Sequence, residues 1–266
     1  MPQPIRPAAA AGMFYPGSSA ELARLVDHLV SDASRERAGL ARMPKAIIAP
    51  HAGYIYSGPT AAQAFARLLP LASKLSRVVV LGPAHFEFVE GVVSPDAEEL
   101  VTPLGRVSVD RRALAHAATV KPDARAHAME HSVEVELPFV QRLLPNAKVV
   151  PLVVGRAAPD DVADVLEALW GGAETVIVVS SDLSHYLPYD VGRARDRHTV
   201  SRILALDAGL DGDEACGAAG INGLLRVARR KGMRAELVDL SSSGDTAGPR
   251  DDVVGYGAFA FFEDAP

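Results

Sequence analysis

Five short apolar runs punctuate the chain, at residues 45–50, 77–82, 148–154, 175–181 and 254–262. They are rich in Val and Ile and show little polar alternation, the pattern of strands buried on both faces. Helix-like segments separate the first four runs, at 60–69, 132–144 and 159–170. An amphipathic helix precedes them all. It opens at Ser18-Ser19-Ala20-Glu21, which resembles a capping box, and runs through about Ser34. A hairpin-like patch pairs 90–94 with 101–109, after which Asp110 starts another helix. Two further helices, 191–208 and 216–231, lead to a closing strand at 235–241 and the last apolar run. Strand and helix in alternation predict an α/β fold, a mostly parallel central sheet flanked by helices on both faces. There is no repeat, no low-complexity tract and no dividing linker, so residues 1–266 are expected to form a single domain, with 244–252 (GDTAGPRDD) as a mobile loop.

Composition changes this picture little. The 266 residues are 48% hydrophobic and 23% charged, an ordinary globular balance for a chain long enough to bury a full core. The net charge of −6 argues against nucleic acid and anionic membrane as partners. Arg226, Arg229, Arg230 and Lys231 do cluster, but their spacing around Leu224, Leu225 and Val227 fits the solvated face of a helix. The single cysteine, Cys216, forbids an intrachain disulfide and points to a reducing compartment. The first residues hold no continuous apolar stretch of the signal-peptide kind, and no run approaches the ~20 residues that span a bilayer. The expected setting is cytoplasmic.

Chemistry-bearing residues gather where the predicted strands end. In a parallel sheet these tips share a crevice in which ligands bind. The first run empties into Pro50-His51, the second into Gly82-Pro83-Ala84-His85, and the fourth into Ser180-Ser181-Asp182-Leu183-Ser184-His185. One histidine after a strand is most simply structural; several at equivalent tips are better explained by a shared site. Neutral imidazoles at His51 and His85 suit iron, copper or zinc. Gly53 and Gly58 are expected to form tight turns around His51. Asp182 and His185 could ligate, orient a ligand or move protons. Cys216 precedes an apolar helical run, where unpaired amides are expected to lower its pKa; the alternative is a buried small hydrophobe.

Other candidates compete. His127-Ala128-Met129-Glu130-His131 spells H-x-x-E-H, a zinc-peptidase pattern that needs both histidines on one helical face. Ser132 reads as an N-cap, with Glu134 and Glu136 in the first turn, so the helix is expected to begin after His131 and the two histidines to part. Pro138 would either kink that helix or mark its first turn. His131 itself could still line the crevice. His116 and His198 read as surface residues. Tyr15, Tyr54, Tyr56 and Tyr186 could bond a ligand or simply pack, and Tyr15 and Tyr54 are the candidate substrate contacts.

With these residues in view, the chain resembles the Memo family (mediator of cell motility in its animal members). It is similar in particular to the members named for the AmmeMemoRadiSam association. The resemblance rests on seven motifs in order: AGMFYPG, APHAGYIYSG, LGPAHF, EHSVEVELPFVQ, PLVVG, SSDLSHY, and ACG before an Asn-containing helix. It implies an α/β fold related to the LigB-type class III extradiol dioxygenases, which hold a non-haem ferrous ion with two histidines and a glutamate. It also implies a metal site at His51, His85 and Cys216, with Asp182, His185 and His131 lining the same pocket as candidate catalytic groups. A thiolate then stands where the dioxygenases have a carboxylate, which favours softer or redox-active metals. Gly217-Ala218-Ala219-Gly220 also replaces a more polar stretch of the animal members. The implied cofactor is iron, Fe2+, with copper or zinc as alternatives. The implied partners are an AMMECR-type protein and a radical S-adenosylmethionine protein, and a small molecule or peptide in the pocket. Two readings follow: a metal-dependent, dioxygenase-like oxidoreductase, or a binding or metal-handling protein that uses the same pocket without turnover. Zinc hydrolysis at His127 and His131 is the third.

Overall fold

The computed structural model describes residues 4–35 and 43–263. In chain order its strands are β1 (Ile5–Arg6), β2 (Ala46–Ala49), β3 (Arg77–Pro83), β4 (Val92–Ser94), β5 (Glu99–Thr102), β6 (Gly105–Ser108), β7 (Lys121–Pro122), β8 (Lys148–Val154), β9 (Thr175–Ser180), β10 (Arg234–Ser242) and β11 (Gly255–Phe262). The α-helices are α1 (Ser19–Arg35), α2 (Tyr54–Phe65), α3 (Arg111–Leu114), α4 (Ala124–Ala128), α5 (Leu137–Leu143), α6 (Pro159–Ala168), α7 (Tyr189–Leu204) and α8 (Ala218–Arg230). Among the described residues, eight strands form one mixed sheet in the order β10-β11-β2-β9-β3-β8-β4-β7, and β1, β5 and β6 form a small second sheet.

The four strands at the centre, β2, β9, β3 and β8, are mutually parallel, and the five apolar runs account for them and for β11. Val78 to Leu81 and Val176 to Val179 are buried on both faces, so neither strand has a solvent side for polar residues to occupy. The connections through α2 and α5 step outward, from β2 to β3 and on to β8, whereas the connection through α6 steps back to β9. Right-handed crossovers then put α6 on the face opposite α2 and α5, so both faces of the sheet are covered. Phe65 of α2 stacks on Phe139 of α5 at 4.9 Å between centroids, joining the helices of one layer. No helix among the described residues is long and apolar enough to cross a membrane.

Several local expectations change. The helix expected over 60–69 begins at Tyr54 and runs through Pro59. The carbonyl that loses its partner to Pro59 belongs to Ile55, an exposed residue, and the Tyr54 N–H donates to Phe14 O at 2.8 Å. Gly53 and Gly58 therefore make no tight turn. Gly53 has an ordinary φ of −56° at the helix start, and Gly58 lies inside α2, where a Cβ would come 3.0 Å from Leu29 of α1. The helix expected over 132–144 is a 3-10 turn (Glu134–Glu136) followed by α5, with Pro138 in its first turn. Ser132 caps nothing; its hydroxyl donates to Pro83 O at 2.9 Å. The hairpin-like patch also separates. β4 pairs antiparallel with β8, while β5 and β6 form their own hairpin beside β1.

Candidate metal centre

Parallel strands deliver their C-terminal tips to one edge of the sheet; β10 runs with them and leads there into Ser243, while β11, running the other way, starts there with Tyr256. A cavity of about 1080 Å³ opens there, lined among others by Phe14, His51, Tyr56, His85, His131, Asp182, His185, Tyr186, Cys216 and Tyr256. Its floor is a cluster of imidazoles and one sulfur. The donor atoms of His51, His85 and Cys216 all lie within 4.8 Å of one another. His51 Nε2 is 3.4 Å from Cys216 Sγ. Bonds of about 2.1 Å to nitrogen and 2.3 Å to sulfur, at a tetrahedral angle, would set such donors about 3.6 Å apart. The three residues fit one metal ion.

Each is held from behind. His51 follows β2 directly, is buried, and donates its backbone N–H to Asp182 Oδ1 at 2.8 Å. Its Nδ1 lies 2.7 Å from Ser180 Oγ at the end of β9. His85 donates its backbone N–H to Glu130 Oε2 at 2.6 Å and its ring Nδ1–H to Glu130 Oε1 at 2.9 Å, which leaves Nε2 for the crevice. The Asp182 N–H points at Cys216 Sγ at 3.3 Å. Gly217 allows the start of α8 to press against β9, since a Cβ there would come 2.7 Å from Ser181 Cβ.

The electrostatics are those of groups buried at the base of the pocket. Burial, followed by the neighbouring histidines, holds the pKa of His51 well below the ordinary imidazole value. His131 is pushed down to about 4, mainly by burial. Burial raises Asp182 to about 6, against the pull of His185 and the backbone N–H of His51. The thiol of Cys216, expected to be acidified by its helix, is instead pushed up to about 12. Burial dominates, the Asp182 carboxyl adds to it, and the surrounding N–H groups recover too little. A metal would have to displace that proton to bind sulfur.

The remaining candidates fall on both sides of the line. His131 and His185 both reach the cavity. His131 is stacked between Phe14 (4.2 Å) and His85 (4.7 Å), with its Nδ1 lacking a hydrogen bond and 3.5 Å from Glu130 Oε1. Tyr15 and Tyr54, the expected substrate contacts, are absent from the lining. The Tyr15 hydroxyl is spent on Glu134, and that of Tyr54 on Val135 O at 2.6 Å. Glu134 also accepts from Arg6 and from the N–H groups of Ala9 and Ala10, so AGMFYPG is a structural clamp that presents Phe14. Tyr56 and Tyr186 do line the cavity. His127 is buried on α4 with Nε2 at 3.2 Å from Val93 O, and no metal-ligand group among the described residues includes it. The short helix that carries it ends at Ala128, and the next helical segment begins at Glu134, after His131 as expected, so the two histidines share no helical face. His116 and His198 are exposed, and Arg230 pairs with Asp160, Asp164 and Glu167 of α6.

Sequence reasoning missed four contributors: Glu130, Glu136, Ser180 and Tyr256. Glu130 was absorbed by the H-x-x-E-H pattern. Glu136 sits between Val135 and Leu137 in a run that reads as a helix start, where acids are commonplace. Its one available signal was the strictly apolar company on either side.

Most of the chain has counterparts. A family model described as "Memo-like protein" matches residues 6–260. A MEMO1 family protein of Pyrobaculum aerophilum is 34% identical over 97% of this chain and 99% of its own length. MEMO1 family proteins of Methanothermobacter thermautotrophicus and Archaeoglobus fulgidus are 33% and 34% identical, over 95% and 94% of this chain and 98% and 97% of theirs.

Proposed function

The chain belongs to the Memo family, and on that premise we propose that it holds one metal ion at His51, His85 and Cys216 and works as a metal-dependent oxidoreductase. The observation that carries the reading is the convergence of those three donors, His51 and Cys216 at bonding spacing, on the floor of a large cavity. Three protein ligands would leave a fourth position free for water or substrate, as in catalytic rather than structural sites. Iron is the first choice of metal and copper the second; either supplies the one-electron chemistry that the side chains lack.

The residues around the site have separable tasks. Asp182 ties the backbone of His51 to the segment that meets Cys216 and so fixes the spacing of the two ligands. His131, neutral at pH 7 and stacked on His85 at the cavity wall, is a candidate to exchange a proton with a bound substrate. His185, also in the lining and electrostatically linked to Asp182, is the second proton carrier. Phe14, Tyr56, Tyr186 and Tyr256 would receive an aromatic or apolar part of the substrate. A metal-handling role without turnover draws on the same ligands, and the soft sulfur of Cys216 favours it.

The test is metal content by plasma mass spectrometry on protein purified without oxygen, beside His51→Ala and Cys216→Ala. Near-stoichiometric iron or copper, lost in both variants, supports the site. Oxygen consumption with aromatic substrates then separates catalysis from metal handling. A parent protein that carries no metal and takes up none from added ferrous or cuprous salt overturns the reading.

A further inference from the structure

Behind His51 lies a buried carboxyl that the metal reading leaves without a task. Glu136 is fully buried, its Oε1 is 2.8 Å from Ser180 Oγ, and its Oε2 has no hydrogen-bond partner. Ser180 Oγ is thus close to three atoms: Glu136 Oε1, Ser132 O at 2.7 Å and His51 Nδ1 at 2.7 Å. A hydroxyl has one hydrogen to give and two lone pairs to receive with. Ser132 O is a backbone carbonyl and can only accept, so the hydroxyl hydrogen belongs there. The other two contacts are hydrogen bonds only if both partners donate. His51 must then carry its proton on Nδ1, and Glu136 must carry one on Oε1.

Every alternative leaves something unpaired. If Glu136 were ionised, the hydroxyl would turn to it, and Ser132 O would face Ser180 Oγ at 2.7 Å with no hydrogen between them. If the hydroxyl turned to His51, the ring proton would move to Nε2, against Cys216, and Ser132 O would again be stranded. Buried carbonyls are rarely left so. Burial acts in the same direction, since it pushes Glu136 up to about 8.

We propose that Glu136 is a positioning residue: a neutral carboxylic acid that donates to Ser180, keeps the Ser180 hydroxyl turned to Ser132 O, and so holds His51 in the tautomer that presents a bare Nε2 beside Cys216. It acts at one remove from the ligand, through the serine. The value of this tautomer rests on the metal reading, but the proton arrangement itself does not, and metal-free protein is enough to examine it.

Long-range proton–nitrogen correlation NMR on metal-free protein reports which ring nitrogen of His51 is protonated. Infrared spectra of the parent and Glu136→Gln report the carboxyl. The expected results are a protonated-carboxyl stretch that vanishes in Glu136→Gln, and an Nδ1–H His51 that this variant retains, because the amide N–H donates to Ser180 as the acid did. Ser180→Ala should give a tautomer mixture and bind cobalt(II), used as the probe ion, about 10–100-fold more weakly. Glu136→Leu should fall between the two. Absence of a protonated-carboxyl band attributable to Glu136 overturns the proposal, as does an unchanged His51 tautomer in Ser180→Ala. Should Glu136→Leu fail to fold, the infrared comparison with Glu136→Gln still decides. Failure of the parent to bind cobalt(II), with the NMR and infrared results as expected, would count against the metal reading and leave the proton arrangement standing.

Discussion

Glu130 and Glu136 are six positions apart, both buried, and each stands behind a histidine of the same crevice. Their environments drive them to opposite charge states. Glu130 collects three N–H donors: the backbone and ring of His85 and the backbone of Ser132. Burial alone would raise its pKa, but those donors overcome it and bring the carboxyl down to about 2. Glu136 has a single hydroxyl beside it and is pushed up to about 8. The difference teaches that donor count, not depth, decides whether a buried acid is ionised here. It also makes the two candidate ligands unequal, since His85 leans on an anion and His51 on a neutral chain.

The largest expected contrast is between the two Glu→Gln variants. Glu130→Gln removes the charge from three charge-assisted bonds and turns an amide NH2 toward groups that themselves donate. It should cost about 2–4 kcal/mol of unfolding free energy in urea titrations of metal-free protein. Glu136→Gln replaces a neutral group with a neutral group of the same shape and, compared near pH 5, before the unfolded chain gains much by ionising the acid, should stay within about 1 kcal/mol of the parent. Equal losses in the two would break the comparison.

The pH dependence sharpens it. The folded pKa of Glu130 lies below its ordinary 4.5, so it contributes stability that is present above pH 4.5 and is lost as pH falls toward 2. Glu136 works in the other sense. With a folded pKa near 8, its stability is fully present below pH 4.5 and is lost as pH rises through 8. Relative to Glu136→Gln, the parent should therefore lose stability between pH 5 and 8, a difference in which the other titrating groups cancel. Urea midpoints that run parallel over that window would place a carboxylate at Glu136 and contradict the proton count around Ser180.

That Glu136 has to be tested at all reflects how the site is built. The strands were legible because Val78–Val79–Val80 or Val176–Ile177–Val178 can be little else, and the parallel order that strand and helix alternation implies puts His51, His85 and Asp182 at one edge. Cys216 was a candidate from its place before a helix, but for an acidic thiol that its burial reverses; its assignment as a ligand came through resemblance to a family. The supporting residues were illegible for a physical reason. Ser180 meets His51 across 129 positions and Tyr15 meets Glu134 across 119, so local pattern holds no trace of either bond. Gly58 misled in the reverse way, by looking like a turn while lying in a helix that tertiary packing sustains.

The smallest expected effect concerns His127, where local pattern was most suggestive and the fold least supportive. Its ring is buried, its Nε2 is within reach of Val93 O, and its pKa is pushed down to about 4, chiefly by burial. The neutral ring therefore belongs to the folded state. Its contribution is complete above pH 6.5 and is lost as pH falls through about 4, because the unfolded chain takes up the proton first. Glutamine can offer Val93 O the same N–H and cannot be protonated in this range. His127→Gln should lie within about 1 kcal/mol of the parent at pH 7, be the more acid-resistant of the two below pH 6, and hold the same metal by plasma mass spectrometry. Loss of metal in this variant would return the H-x-x-E-H pattern to contention. Retention, set against loss in His51→Ala, would confine the metal to the strand tips and leave His127 a role in packing alone.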